Sequence, residues 1–413
     1  MTIINVFRYI LSIFILCGII LVGCSTERGV TFNGKWNGKD KIRPEWFGAV
    51  NDGQTDCSEA IQKMFDFMAS NGAYTCKFEK CDFEKGKFYL ISKTINIRKP
   101  VRIEGEKAFI SSKTIIPYGN DPNHKSFLSD GVAFYFWGDE VENPKITDIC
   151  INIKVHAKPF FFYKLKNAYI HDCYVSTFTG DTSITKGVYT FWYAFQCVNL
   201  VNAKFKNVHI DQPTNELDYN SADGIHLSGK CHDVIIDNVY GQSGDDFIAM
   251  NTNENISGDI YNITIKNCTI GKDKRSGSGI RFYGCSRLSH VPGKPQLSIN
   301  NVSIENCFIR SGLSPCIFFT NNPDWKYTDT TSLKLAINDV KIKNCTLDFL
   351  SIRKTEVPSV WIDGIECNNL VFDRIRSVVD TENMRIVEVK DYNDINSLRV
   401  KRSRQNGKKV LTL

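Results

Sequence analysis

The sequence predicts an all-β solenoid of stacked coils, entered through a single capping helix. Two observations carry this reading. A short phrase recurs at nearly regular intervals from about residue 165 onward, and each copy alternates apolar with polar residues. One amphipathic stretch of helical period stands ahead of the first alternating segment. The composition agrees: of 413 residues, 42% are hydrophobic and 23% charged, which supplies a large core and excludes wholesale disorder. A net charge of +6 is too mild to imply nucleic acid as a partner. The unusual feature is a count of 15 cysteines, whose meaning depends on the redox compartment.

Tyr9 to Val22 is apolar apart from Ser12 and Gly18, and Arg8 is the only charge before Glu27. The run is short for a spanning helix. The segment Leu21-Val22-Gly23-Cys24 resembles the lipobox of bacterial lipoprotein signal peptides. That resemblance implies cleavage before Cys24 and a diacylglycerol on its sulfur. Residues 1–23 are then a signal peptide, 24–40 a linker, 41–398 the solenoid domain and 399–413 a basic C-terminal tail. The mature chain is expected to be an exported, monomeric lipoprotein of the cell envelope that meets the membrane only through its lipid.

From Cys57, the apolar residues Ala60, Ile61, Met64, Phe65 and Met68 follow a 3.6-residue period. Thr55, Asp56 or Ser58 can cap the start of this helix, and Asn71-Gly72 ends it. Residues 85–105 then alternate as strands, broken at Lys99-Pro100. With Trp46-Phe-Gly-Ala49 and Asp52-Gly-Gln-Thr-Asp56 before it, the stretch resembles the opening of the pectate-lyase superfamily. The resemblance implies a right-handed parallel β-helix with an N-terminal capping helix.

The repeated phrase begins at Asn167, Asn202, Asp233, Asn262, Asn301, Asp339 and Asn369, at intervals of 35, 31, 29, 39, 38 and 30 residues. Such units cannot bury an apolar face alone and must stack. In the fourth copy Ile263 and Ile265 face one way and Thr264 and Lys266 the other. Asn207, Asn238, Asn267, Asn306 and Asn344 fall at the following turn, where Asn tolerates left-handed backbone and can stack amide on amide. Cys173, Cys268, Cys307 and Cys345 share the next position with Val208, Val239 and Ile375. A site that accepts Cys, Val or Ile is a core site, so these four are expected to be buried free thiols. Cys76 and Cys81 are the candidates for a disulfide. No CxxC or Cys/His spacing calls for a metal.

Two acidic segments interrupt the repeat: Ser221-Ala-Asp223-Gly-Ile-His226-Leu227 and Ser243-Gly-Asp245-Asp246-Phe-Ile-Ala-Met250. Asp223 precedes Asp245 by 22 residues and Asp246 by 23, about one uninterrupted coil. Neighbouring strands lie about 4.8 Å apart, so three carboxylates would crowd one spot and raise at least one pKa. An acid beside bases suits glycosidic hydrolysis, and inversion calls for carboxyls roughly 6.5–9.5 Å apart.

These paired segments resemble the polygalacturonase family, glycoside hydrolase family 28. The resemblance implies inverting hydrolysis of a pectin-like or other acidic polysaccharide, with Asp245 as general acid and Asp223 and Asp246 activating water. It implies no cofactor. The sequence departs from the family at Ser278, which stands where a His is expected, and at Arg281. The family's Arg-Ile-Lys clamp has no clear counterpart, and Arg281 or Arg275 is the candidate replacement for gripping a substrate carboxylate. His226 is a candidate cleft residue, and Trp192 and Tyr189 are candidate stacking platforms. In Phe160–Tyr163, alternation sends half of the rings inward. Residues 116–148 and 320–332 depart from the repeat and are expected to form the cleft rims. Two alternatives stay open: a polysaccharide lyase with a metal on the Asp cluster and Arg281 as base, and a non-catalytic glycan-binding surface lipoprotein.

Overall fold

The computed structural model describes residues 36–112, 116, 131–139, 141–154, 157–178, 193–212, 222–252, 256–271, 276–285, 296–322, 335–349, 358–379, 387–390, 398–405 and 408–409. The expected signal peptide and lipidation site and most of the expected linker therefore lie outside the described residues. The chain is a right-handed parallel β-helix. One coil runs through His232–Asp237, turns at Asn238 into Tyr240–Gln242, and turns again into Asp246–Asn251. The third strand of each coil joins a ten-stranded parallel sheet that runs from Ile95–Ile97 to Val387–Lys390. The other two strands belong to a larger sheet that wraps the opposite side.

Like residues stack along the axis. Val234, Ile263, Val302, Val340 and Leu370 are successive register partners, as are Ile236, Ile265, Ile304, Ile342 and Phe372. All ten are buried. In the ten-stranded sheet Phe160 and Phe195 stack with centroids 5.1 Å apart at 5°. Burying a side chain of this size contributes about 1.5–3 kcal/mol, so each coil supplies a large share of its own stability only once a neighbour covers it.

The corners explain the repeated Asn. Asn207, Asn238, Asn267, Asn306 and Asn344 have φ between 53° and 56°, the left-handed region expected for them. The phrase-opening residues do the same, with φ of 51–57° at Asn167, Asn202, Asp233, Asn262, Asn301, Asp339 and Asn369. A second row of corner residues joins the expected one, and the expected one is interrupted where Asn267 Nδ2 donates to Asp237 Oδ1 at 2.9 Å instead of to Asn238. Asn238 Nδ2 donates to Asn207 Oδ1 at 2.8 Å, and Asn301 Nδ2 to Asn262 Oδ1 at 2.7 Å.

The capping helix spans Ser58–Asn71 and buries Ile61, Met64, Phe65 and Met68. Gly72 ends it in the left-handed region, at φ 68°. Asp56 caps its start: its carboxylate accepts from the Ser58 N–H at 2.9 Å and the Ser58 hydroxyl at 2.6 Å.

Three expectations change. Cys76 and Cys81 form no disulfide, and the twelve cysteines whose side chains are described are all free. Residues 116–148 are not simply a rim, because Gly131–Trp137 is a strand of the ten-stranded sheet. Likewise Thr320–Asn322 closes the strand that begins at Ile317. The stack also continues past residue 398: Leu398–Lys401 pairs with Leu370–Asp373, and Arg402 grips Asp373 through two bonds of 2.9 and 2.6 Å.

Candidate active site

Three consecutive strands of the ten-stranded sheet set the site: Ile225–Ser228, Asp246–Asn251 and Ser278–Cys285. Asp246 pairs with Ser278, and Ile225 with Ile248, so that the segment just ahead of Ile225 runs beside Asp246. The coils meet closely there. A Cβ on Gly224 would lie 2.4 Å from the Phe247 carbonyl oxygen, and one on Gly277 would lie 2.3 Å from that of Gly244. Only glycine allows that approach.

Phe247 and Ile248 are both in the core. Strict alternation cannot bury two consecutive residues, so it breaks between them and leaves Asp246 on the side of Arg281. The sequence could not give the orientation of the acids because of this break. With it, one oxygen from each of Asp223, Asp245 and Asp246 lies within 4.8 Å of the others. Asp223 and Asp246 are buried and Asp245 is partly exposed.

The three carboxylates have different surroundings. Asp223 Oδ2 is 2.6 Å from His226 Nδ1, and Asp223 Oδ1 accepts the Asp246 backbone N–H at 3.1 Å. Asp246 Oδ2 faces Arg281 Nη1 at 3.4 Å. Asp245 is held well above the ordinary carboxylate range by burial first, then by the charges of Asp246 and Asp223. Arg281 and His226 offset this only in part. Burial works against the Arg281 charge, but the neighbouring acids, Asp246 first, outweigh it and hold the guanidinium protonated. The site thus contains an acid that keeps its proton beside two carboxylates that have cationic or imidazole partners.

His226 is less a cleft lining than a support. It is buried at 4% exposure and stacks flat on Tyr193, with centroids 4.2 Å apart at 7°. Ser278 is also buried, with its N–H on the Asp245 carbonyl at 2.9 Å and its hydroxyl without a protein partner. Asp246 Oδ1 likewise has none. Such orphaned buried oxygens are what a bound water or sugar hydroxyl would satisfy. Arg281 lies between the rings of Tyr283 and Phe318, at 4.5 and 5.1 Å from their centroids. Arg275, Trp192 and Tyr189 lie outside the described residues. Tyr193, Tyr283 and Phe318 were missed as supporting residues. The register would have pointed to Phe318, which pairs with Arg281, and alternation along that strand to Tyr283; Tyr193 precedes the strand whose Gln196 pairs with His226.

No family model matches the chain, and no curated protein matches it. Similar solved structures share its architecture. The ORF18 protein of Geobacillus virus E2 aligns with a TM-score of 0.54 at 14% identity, over 90% of this chain. This chain spans 63% of the length of that protein. A hyperthermoactive exopolygalacturonase of Thermotoga maritima aligns with a TM-score of 0.51 at 12% identity, over 91% of this chain and 94% of that one. A family 28 exopolygalacturonase of Yersinia enterocolitica aligns with a TM-score of 0.50 at 13% identity, over 90% and 79%. At these identities the shared property is the right-handed β-helix itself.

Proposed function

We propose that the chain is a glycoside hydrolase that cleaves an acidic, pectin-like polysaccharide with inversion. The observation that carries this reading is the convergence of Asp223, Asp245 and Asp246 within 4.8 Å, with Asp245 held toward its protonated form. Asp245 donates its proton to the leaving glycosidic oxygen as the bond to the anomeric carbon breaks. Water held by Asp223 and Asp246 attacks that carbon from the other face and passes its proton to one of them. His226 and Arg281 contact these two carboxylates and orient them. The Arg281 guanidinium, framed by two rings, also offers charge to a substrate carboxylate.

The oxygens are nearer than the roughly 6.5–9.5 Å expected for inverting carboxyls. On this reading the water sits between Asp223 and Asp246, and Asp245 reaches over it to the leaving oxygen. The anomer of the first product, read by proton NMR during turnover, tests this directly. An inverted anomer is expected, and retention would overturn the water placement.

A divalent cation on the three acids would instead suit a lyase. Two features weigh against that fit: Arg281 brings positive charge to Asp246, and His226 takes an oxygen of Asp223. The discriminating experiment digests a panel of pectic and other acidic glycans with and without chelator. New reducing ends, without absorbance from an unsaturated uronide, are expected in both arms. Chelator-sensitive unsaturated product would overturn hydrolysis. Asp245→Asn is expected to abolish turnover and keep the fold, and retained activity would overturn its role. The Leu21–Cys24 segment is proposed to tether the enzyme to the envelope, and Cys24→Ala should move it from the membrane fraction to the soluble one.

A further inference from the structure

The outer face of the ten-stranded sheet carries aromatic rings that the core does not use. In Gly131–Trp137 and Ala157–Tyr163, Phe134, Phe136, Phe160 and Phe162 point inward and are buried. Tyr135, Trp137, Phe161 and Tyr163 point outward and are partly exposed. They form one patch: the Tyr135 ring lies 3.9 Å from Trp137 and 4.6 Å from Phe161, and Phe161 lies 6.3 Å from Tyr163 at 16°. Cations frame it. Exposed Arg98 sits 4.5 Å over Trp137, and Lys164 sits 5.2 Å over Tyr163.

The patch is in line with the acids. Tyr135, Phe161, Gln196 and His226 are register partners on four consecutive strands, and His226 touches Asp223. Between the patch and His226, Gln196 is buried at 3% exposure, with its side-chain carbonyl oxygen unpartnered. From the Phe161 strand to the Asp246 strand is three steps of about 4.8 Å, or roughly 14 Å. An extended glycan lying along the helix axis would cover that distance with a few sugar units.

We propose that Tyr135, Trp137 and Phe161, with Arg98 and Lys164, form a distal binding platform for an anionic polysaccharide, several sugar units from the acid cluster. This rests on the reading that the acids act on such a chain. Apolar sugar faces stack on exposed rings, and a partly exposed patch of this kind marks a binding surface rather than a packing one. The flanking cations select a carboxylate-bearing chain over a neutral one. The platform makes the polymer a better ligand than a short oligosaccharide, which reaches only across the acids.

The test measures binding separately from turnover. Asp245→Asn protein is titrated calorimetrically with polygalacturonate, alginate, neutral galactan and trigalacturonate. At least one acidic polymer is expected to bind more tightly than galactan. Adding Trp137→Ala should weaken polymer binding at least tenfold and leave trimer binding unchanged. Trp137→Phe should bind as the parent does, which controls for loss of fold, and Arg98→Gln should weaken polymer binding most at low salt. The platform is overturned if no acidic polymer binds, if Trp137→Ala binds polymer as tightly as the parent, or if trimer and polymer lose equally. Polymer binding without cleavage by the unmutated chain would instead overturn the hydrolase reading and leave the platform standing.

Discussion

On the proposed reading, Asp245 is where stability and function oppose each other. Its proton is held more tightly in the folded chain than in the unfolded one, where the value is near 3.8. The folded state therefore binds more protons above that pH, and stability falls as pH rises through the interval up to the raised value. Asp245→Asn removes the titration. The variant should melt at a higher temperature than the parent at about pH 7, and the difference should shrink toward about pH 4. A difference independent of pH in a calorimetric series would contradict this account. The expected pH dependence of activity has the same origin: kcat should fall as pH rises through the Asp245 pKa, because the leaving oxygen loses its proton donor. His226 acts one contact away. Its bond to Asp223 and its stack on Tyr193 fix the imidazole, so His226→Ala should lower kcat roughly a hundredfold with KM nearly unchanged. A change confined to KM would make His226 a substrate contact instead.

The coil is built from corners as much as from strands. Asn238 holds φ 54° and donates to Asn207 at 2.8 Å. Asn238→Ala loses both the tolerance and the bond and should cost about 1–2 kcal/mol. Asn238→Gly keeps the backbone conformation and should cost less, which denaturant titration of both variants would show. The residue after each corner explains the cysteines. Cys173, Cys268, Cys307 and Cys345 are buried, as their alternation with Val and Ile implies, but each also points its thiol at the carbonyl two residues back, at 3.2–3.3 Å. Ser403 uses its hydroxyl in the same way, at 2.9 Å from the Lys401 carbonyl. The site is therefore a small core position with a local acceptor. Cys268→Ser should fold and lose at most about 1 kcal/mol, less than an unsatisfied buried hydroxyl would cost.

At the scale of the whole molecule, stability comes from stacked apolar rows, and among the described residues no covalent bridge joins the coils. The twelve cysteines whose side chains are described are free, and burial raises the thiol pKa of Cys76, Cys173, Cys231 and Cys316. Buried thiols of this kind are poor nucleophiles and react slowly. The melting temperature should be the same with and without a strong reductant. A drop of several degrees on reduction would show that bridges carry part of the fold. The stack also explains why the site is so narrow: each coil supplies one or two polar side chains, and parallel register lines them up.

The solenoid was legible in the chain because its causes are local. Alternation puts Ile263 and Ile265 inside, Asn tolerates the left-handed corner, and the recurrence of both fixes the coil. The identity of the three acids was legible for the same reason, through their one-coil spacing. What they face was not. His226 meets Asp223 within one strand, but the bend that turns Asp246 outward depends on Phe247 and Ile248 sharing the core. Arg281 lies 35 residues beyond Asp246. Its approach depends on how many residues leave the coil between them, which alternation does not count. Only the stacked register, set by burial of every coil at once, decided which side chains share the site.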